Sequence, residues 1–329
     1  MKVAVIGRTS YTKRLRELLK REFIIKQFDS FNSANLNKFE EIDILVSMTW
    51  GKSIWGENLK IKIPKTKKLK LIHLPGSGTD GIDFSIIPEG CRVCNVYEHE
   101  LPISEFIIAS LLNWEINLFS KIKKFKKYNW GDSMLFSNQP HGELNSKKIG
   151  ILGYGRIGKE LVKKLKVFCK EITVITRKKI KKNNFCKKNI LLKDLFKEIN
   201  NFDYFIIACD LNETTLNLIT KKEIALMKQS CVIVNVARGP IINEKDLYNA
   251  LKNGLLGGAI IDTWYKYPER KNKNYFKPSN FNFGSLRNVV MTPHLSALSK
   301  NLLERRVQVI AKNINALKKK KKLINVVHQ

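Results

Sequence analysis

The chain has 329 residues, 43% hydrophobic and 9% aromatic, which is enough for two packed cores and long for one. No run reaches the roughly 18–20 apolar residues of a membrane span, and "MKVAVIGRTS" reads as a first strand, not a secretion signal, so a cytoplasmic protein without a membrane partner is expected. The net charge of +31 comes mainly from lysines, which outnumber arginines 48 to 12 and lie scattered among asparagine and isoleucine; this is a compositional bias more than a binding stripe, so no nucleic-acid partner is expected, although the field should attract anionic substrates and cofactors.

In chain order, "KVAVIG" (2–7) predicts a buried strand and "YTKRLRELLKREF" (11–23) an amphipathic helix, followed by strands in "IDILVSM" (42–48) and "LKLIHL" (69–74). Strand–helix alternation predicts a parallel, doubly wound sheet, whose carboxyl strand ends are where ligands sit. His73, at one such end, is a candidate for lining a cleft. "CRVCNV" (91–96) contains a C-x-x-C with no second pair and no histidine cluster, and residues three apart on a strand face opposite ways; reduced, buried thiols are expected and no metal. Residues 102–125 predict one helix that crosses between domains, with Pro102 in its first turn. After a polar loop (128–146), a second alternating α/β region runs to about residue 293, and a helix over 297–320 with the short strand "LINVV" closes the chain. The five lysines 318–322 suit a solvated helix end.

"IGILGYGRIGKEL" places Gly153, Gly155 and Gly158 in G-x-G-x-x-G, after a strand (148–152) and at the start of a helix (157–165). That context makes it a dinucleotide loop: the first glycine for the turn, the second for close approach of a pyrophosphate, the third for helix-on-strand packing. Tyr154, Gly155, Arg156 and Ile157 are the expected pyrophosphate contacts. The next strand, "EITVITRKK", ends in Thr176 and Arg177 with no carboxylate for the ribose hydroxyls. An arginine suits a 2′-phosphate, so NADP(H) is favoured over NAD(H); the alternative is that Arg177 only stacks on adenine.

Four further segments bracket this loop: "GSGTDGID" (76–83) before it, and "VNVARGPIINEKDL" (234–247), "GGAIIDTW" (257–264) and "NVVMTPHLSA" (288–297) after it. Together they resemble the D-isomer-specific 2-hydroxyacid dehydrogenase family over nearly the whole chain. The resemblance implies two Rossmann-like, doubly wound parallel-sheet α/β domains with the active site in the cleft between them: a flavodoxin-like substrate domain (1–105 plus 295–329) and a nucleotide domain (106–294). It implies Arg238 as the substrate-binding arginine, His294 as the general acid, Gly76, Ser77 and Gly78 as backbone N–H donors to the carboxylate, Ala237 and Asp262 on the cofactor side, and a homodimer. The chemistry is consistent: a 2-keto acid needs a cationic anchor, a polarised carbonyl and a proton for the alkoxide.

The chain departs from that pattern in two places. The family's histidine is usually paired with a glutamate five residues after the aspartate of the "GAxxD" strand; here that slot holds Tyr267. Glu269, two residues on, is a candidate to bend back with the missing charge. Formate dehydrogenases of the superfamily carry a neutral glutamine in the slot and a tryptophan where Trp264 stands, and Trp264, Tyr265 and Tyr267 suggest a partly apolar pocket. In "CNVYEHELPISE", His99 stands where many members place an asparagine near substrate, with Glu98 beside it; either contact with substrate or a place at the domain interface fits His99. The expected activity is hydride transfer between a nicotinamide cofactor and a small anionic 2-keto or D-2-hydroxy acid, in the direction of NADPH-dependent reduction. A phosphoglycerate- or formate-type substrate and a low-turnover dinucleotide sensor are the alternatives.

Overall fold

The computed structural model describes residues 1–7, 9–31, 36–52, 62–181, 186, 188–268 and 274–329. The chain divides into two compact units, Met1–Glu98 with Ser299–Gln329, and His99–Leu298.

The first unit is a six-stranded sheet. Its strands are β1 (Lys2–Ile6), β2 (Ile24–Phe28), β3 (Ile44–Val46), β4 (Leu71–His73), β5 (Arg92–Cys94) and, from the C-terminus, β13 (Val326–His328), in the order β13-β5-β4-β3-β1-β2. The first five are parallel in the flavodoxin-like order, and β13 pairs antiparallel with β5 at the edge. β3 and β4 are three-residue runs buried throughout, as parallel strands covered on both faces must be. One face is covered by α1 (Thr9–Leu18) and α8 (Leu302–Lys318); Tyr11 and Leu15 meet Val307, Ile310, Ala311 and Ile314 there, at helical spacing. The other core gathers Phe39, Ile42, Trp50, Ile72 and Leu74.

The second unit has seven parallel strands: β6 (Lys148–Leu152), β7 (Glu171–Thr176), β8 (Lys188–Leu191), β9 (Tyr204–Ile207), β10 (Val232–Asn235), β11 (Gly258–Ile261) and β12 (Val289–Met291). Their order, β12-β11-β10-β9-β6-β7-β8, reverses between β6 and β9, which is the topological switch point of a dinucleotide fold. β9, β10 and β11 are buried at every position. Helices α5 (Leu195–Glu198), α6 (Lys221–Leu226) and α7 (Glu244–Lys252) come after β8, β9 and β10 in turn.

Residues 102–125 are not one helix. Helix α2 (Glu100–Ile116) ends at Asn117, whose φ of 55° is left-handed, and α3 (Leu118–Phe125) restarts from it. A short polar side chain tolerates that conformation and caps the break. α2 packs whole into the second unit, with Ile103, Ile107 and Leu111 in one core with Leu161, Val162 and Leu165 of α4 (Arg156–Leu165). The division of the chain therefore falls at 98/99, ahead of the helix, and not inside it at 105/106; on the return it falls at 298/299. The last helix starts at Leu302 and not at residue 297; ahead of it, the backbone N–H groups of Leu295 and Ser296 are tied back to the carboxylate of Asp262, which follows β11.

Candidate active site

The glycine loop joins β6 to α4 at the switch point. Gly153 has φ +108°, and a Cβ there would lie 2.7 Å from the carbonyl oxygen of Ala208 at the end of β9. A Cβ on Gly158 would lie 2.2 Å from the Gly153 oxygen, whereas nothing stands within 4 Å of one on Gly155. The first and third glycines are thus demanded by packing, and the second leaves space in front of the α4 N-terminus, where Gly155 is the cap. This is the shape and polarity that a pyrophosphate requires. Tyr154 and Ile157 are part-buried, and exposed Arg156 pairs with Glu100 at 3.7 Å. At the end of β7, the Thr176 hydroxyl donates to the Lys178 carbonyl (2.7 Å) and accepts from Asn189 Nδ2 (2.8 Å), which shapes a turn that exposes Arg177, Lys178 and Lys179. These residues fit a bound dinucleotide.

The chemistry-bearing residues meet at the carboxyl ends of β10, β11 and β12. Asn235 ends β10 with 1% exposure; its Nδ2 donates to the Arg238 carbonyl (2.9 Å), and its Oδ1 accepts from Ala237 N–H (3.0 Å) and the Thr263 hydroxyl (3.2 Å). The Arg238 turn is therefore shaped by a side chain in the strand behind it. Arg238 is part-buried, with Nη1 donating to the Ala237 carbonyl at 2.8 Å. Gly239 lets this turn lie against the next strand end, since a Cβ there would stand 2.5 Å from the Trp264 carbonyl.

Asp262 follows β11 and is wholly buried. Its Oδ1 accepts from the Thr292 hydroxyl (2.6 Å) and Leu295 N–H (2.8 Å), and its Oδ2 from Ser296 N–H (3.0 Å). Between those anchors stands His294, at φ 55°. A left-handed non-glycine residue costs on the order of 1–2 kcal/mol, and charge-assisted bonds on both sides of it offset that cost. Asp262, expected on the cofactor side, thus has both oxygens committed to holding the histidine loop.

Tyr267 stands in the carboxylate's place. Its hydroxyl lies 2.9 Å from His294 Nδ1 and accepts from Trp264 N–H at 3.0 Å. With one lone pair so taken, the phenol hydrogen can go to Nδ1, which puts the proton of the neutral imidazole on Nε2. Burial lowers the His294 pKa below its ordinary value; Asp262 opposes this and Arg238 adds to it. The other two rings of the stretch are hydrogen-bonded to backbone carbonyls. Trp264 is 5% exposed, donates its indole N–H to the Thr292 carbonyl (2.8 Å) and packs edge-on against Phe283, so it braces the histidine loop where contact with substrate was expected of it. The Tyr265 hydroxyl donates to the Ile242 carbonyl at 3.1 Å. Glu269 lies outside the described residues.

In the first unit, Gly76, Ser77 and Gly78 form the loop after β4, held through Gly76 and Ser77 carbonyls that accept from Val96 N–H (3.1 Å) and Asn95 Nδ2 (2.9 Å). His73 does not line a cleft. It is wholly buried, its Nδ1 facing the Leu74 carbonyl (3.1 Å) and its Nε2 facing Asn313 Nδ2 of α8 (3.0 Å), and burial pushes its pKa down to about 4. Cys91 and Cys94 are free, buried thiols pushed up to about 12 by burial. His99 is buried just before α2, where its carbonyl accepts from Ile103 N–H.

Asn235, Thr292 and Asn95 escaped sequence reasoning. The signal for the first was present in "VIVNVA", where a lone amide interrupts an apolar strand.

A Rossmann unit joined to a flavodoxin-like one, with a histidine and an arginine at its strand ends, defines a class of two-domain, dinucleotide-linked oxidoreductases. Residues 108–296 match the family described as D-isomer specific 2-hydroxyacid dehydrogenase, NAD binding domain, and the chain belongs to that family. It is 32% identical over 296 residues to a glyoxylate reductase of Pyrococcus horikoshii, covering 86% of this chain and 82% of that protein. It is 28% identical over 302 residues to a D-3-phosphoglycerate dehydrogenase of Methanocaldococcus jannaschii, covering 89% of this chain but only 53% of that protein, so it spans about half of that relative's length. Among solved structures, a D-isomer specific 2-hydroxyacid dehydrogenase family protein of Aeromonas salmonicida superposes with a TM-score of 0.81 at 21% identity, covering 99% of this chain and 98% of that one.

Proposed function

We propose that the protein interconverts a small 2-keto acid and its D-2-hydroxy acid, favouring NADPH-dependent reduction. When bound, the reduced nicotinamide supplies the hydride. The Arg238 fork holds the carboxylate and the carbonyl oxygen, the N–H groups of Gly76, Ser77 and Gly78 take the carboxylate's remaining lone pairs, and His294 delivers a proton from Nε2 to the developing alkoxide. Tyr267 serves both states of the histidine. In the resting neutral ring it donates to Nδ1; once the ring is protonated, Nδ1–H donates to the hydroxyl's second lone pair and the phenol hydrogen turns away, and that contact stays as Nε2 gives its proton to the alkoxide and leaves the Nδ1–H tautomer.

The observation that carries this reading is the 2.9 Å contact between the Tyr267 hydroxyl and His294 Nδ1, on a loop braced by Asp262 and Trp264. A histidine so oriented is prepared for proton transfer through its other nitrogen. The exposed Arg177–Lys178–Lys179 turn supports the preference for NADPH. A cytoplasmic homodimer completes the proposal. Among the described residues no helix is long and apolar enough to cross a membrane. α3 and the segment after it expose Phe119, Tyr128, Met134, Leu135 and Phe136, apolar surface that a second copy of the chain would cover. Steady-state reduction of a panel of 2-keto acids with NADPH and NADH, with chiral analysis of the product, tests the activity. A protein that binds the dinucleotide tightly but reduces none of the acids is a sensor and not a dehydrogenase.

A further inference from the structure

The three N–H groups of the 76–78 loop are aimed by what grips the carbonyls behind them. The Pro75 carbonyl accepts from the Tyr11 hydroxyl (3.3 Å) and from Arg306 Nη1 (3.4 Å), the Gly76 carbonyl from Val96 N–H (3.1 Å) and the Ser77 carbonyl from Asn95 Nδ2 (2.9 Å). In a planar trans peptide the C=O and the following N–H point in opposite directions. Fixing the oxygens of 75, 76 and 77 therefore fixes the N–H groups of 76, 77 and 78, each directed away from the grip on its own peptide. Among the described residues those three N–H groups have no acceptor. Consecutive N–H groups presented together form an anion-binding concavity.

Two of the grips come from side chains, and one of these has little other reason to be polar. Asn95 is 3% exposed, and among the described residues its Oδ1 has no hydrogen-bond partner. A half-satisfied buried amide is a poor way to fill a core. Arg306, on the first turns of α8, spends Nε on the Tyr97 carbonyl (2.9 Å) and Nη1 on the Pro75 carbonyl, and so ties the loop to the segment that leaves β5.

We propose that Asn95 and Arg306 are positioning residues for the substrate carboxylate: they touch no reacting atom, and they hold the 75–77 carbonyls so that the three N–H groups converge on the anion. This rests on the proposed carboxylate role of the loop. The test is steady-state kinetics of Asn95→Leu, Arg306→Ala and Arg306→Lys with the best 2-keto acid, together with oxamate titrated calorimetrically into the NADPH-loaded enzyme.

The expected result is a KM for the keto acid and a Kd for oxamate that rise together by on the order of tenfold to hundredfold, the worth of one or two hydrogen bonds to a charged group. kcat should move far less, and the KM for NADPH should stay put. Arg306→Lys, which can keep one of the two carbonyl contacts, should fall between wild type and Arg306→Ala, and it carries the test if the alanine variant does not fold. Variants that melt earlier but keep the wild-type KM and oxamate affinity overturn the inference alone, since a purely structural role would produce that outcome. A wild-type enzyme inert on every keto acid instead overturns the function on which it rests.

Discussion

Replacing Tyr267 with glutamate puts the central feature of the site to a quantitative test. Glutamate reaches less far than tyrosine, so its carboxylate would sit roughly 5 Å from His294 Nδ1, where the hydroxyl now lies at 2.9 Å. At an effective dielectric constant of about 20, opposite charges at that distance attract by about 3 kcal/mol. Both rings are part-exposed, and solvent screening reduces this to about half, so the imidazolium should gain about one pKa unit. The sign follows from the direction of the wild-type shift. His294 is held below 6.5 by burial first and by Arg238 as well. Reduction needs the protonated ring, so kcat/KM for the keto acid should already decline as pH rises toward 6.5 in wild type, and about one unit later in Tyr267→Glu. The assay is the pH profile of kcat/KM in both enzymes, with Tyr267→Phe as the control that removes the hydroxyl and adds no charge. A descending limb that Tyr267→Glu leaves in place would refute the assignment of His294 as the titrating acid.

Arg177→Asp removes the exposed cation at the end of β7 and should lower the ratio of NADPH to NADH catalytic efficiency by tenfold or more; an unchanged ratio rejects Arg177 as the reader of a 2′-phosphate. Asp262→Asn sets an amide N–H₂ against one of three donors and should cost about 2–4 kcal/mol of stability, with a still lower His294 pKa because the charge opposing its depression is gone; a melting temperature and pH profile like wild type would count against the loop-bracing role. His73 is pushed from 6.5 to about 4 by burial. The unfolded chain therefore binds the extra proton first, and stability that is full above pH 6.5 should fall by about 3 kcal/mol between pH 6.5 and 4. Denaturant midpoints across that window check it, and His73→Gln should lose about that much of the pH dependence while the part due to His294 stays.

The fold and the site were legible to different depths. Strand existence and the parallel, doubly wound class followed from buried apolar runs and glycine spacing, because parallel strands covered on both faces have little choice of composition: β3 and β4 are examples. The break at Asn117 was not legible, since apolar periodicity continues through it and only a backbone torsion marks the stop. The tyrosine in the glutamate slot could be found by counting from Asp262, because a strand end fixes the register of the loop beyond it. What each ring of "DTWYKYPE" does could not. Three aromatic residues in five positions look the same in a sequence whether they line a pocket or brace a loop. Only the acceptors they find, the Thr292 carbonyl for Trp264 and the Ile242 carbonyl for Tyr265, separate the two.

The neutral partner also alters what the site asks of its charges. A carboxylate beside Nδ1 stabilises the imidazolium through space, whereas a phenol that serves as donor or acceptor favours the neutral ring and only tolerates the charged one. The cations around it act the same way: Arg238 lowers the His294 pKa, and a chain of net charge +31 adds no help from afar. Among the described residues the one opposing charge is Asp262, which is buried and spends both oxygens on Thr292, Leu295 and Ser296. The same carboxylate that holds the histidine in a left-handed conformation is therefore the chief electrostatic support for its proton. Geometry and acidity are coupled through a single side chain, where a glutamate-bearing site would divide them between two.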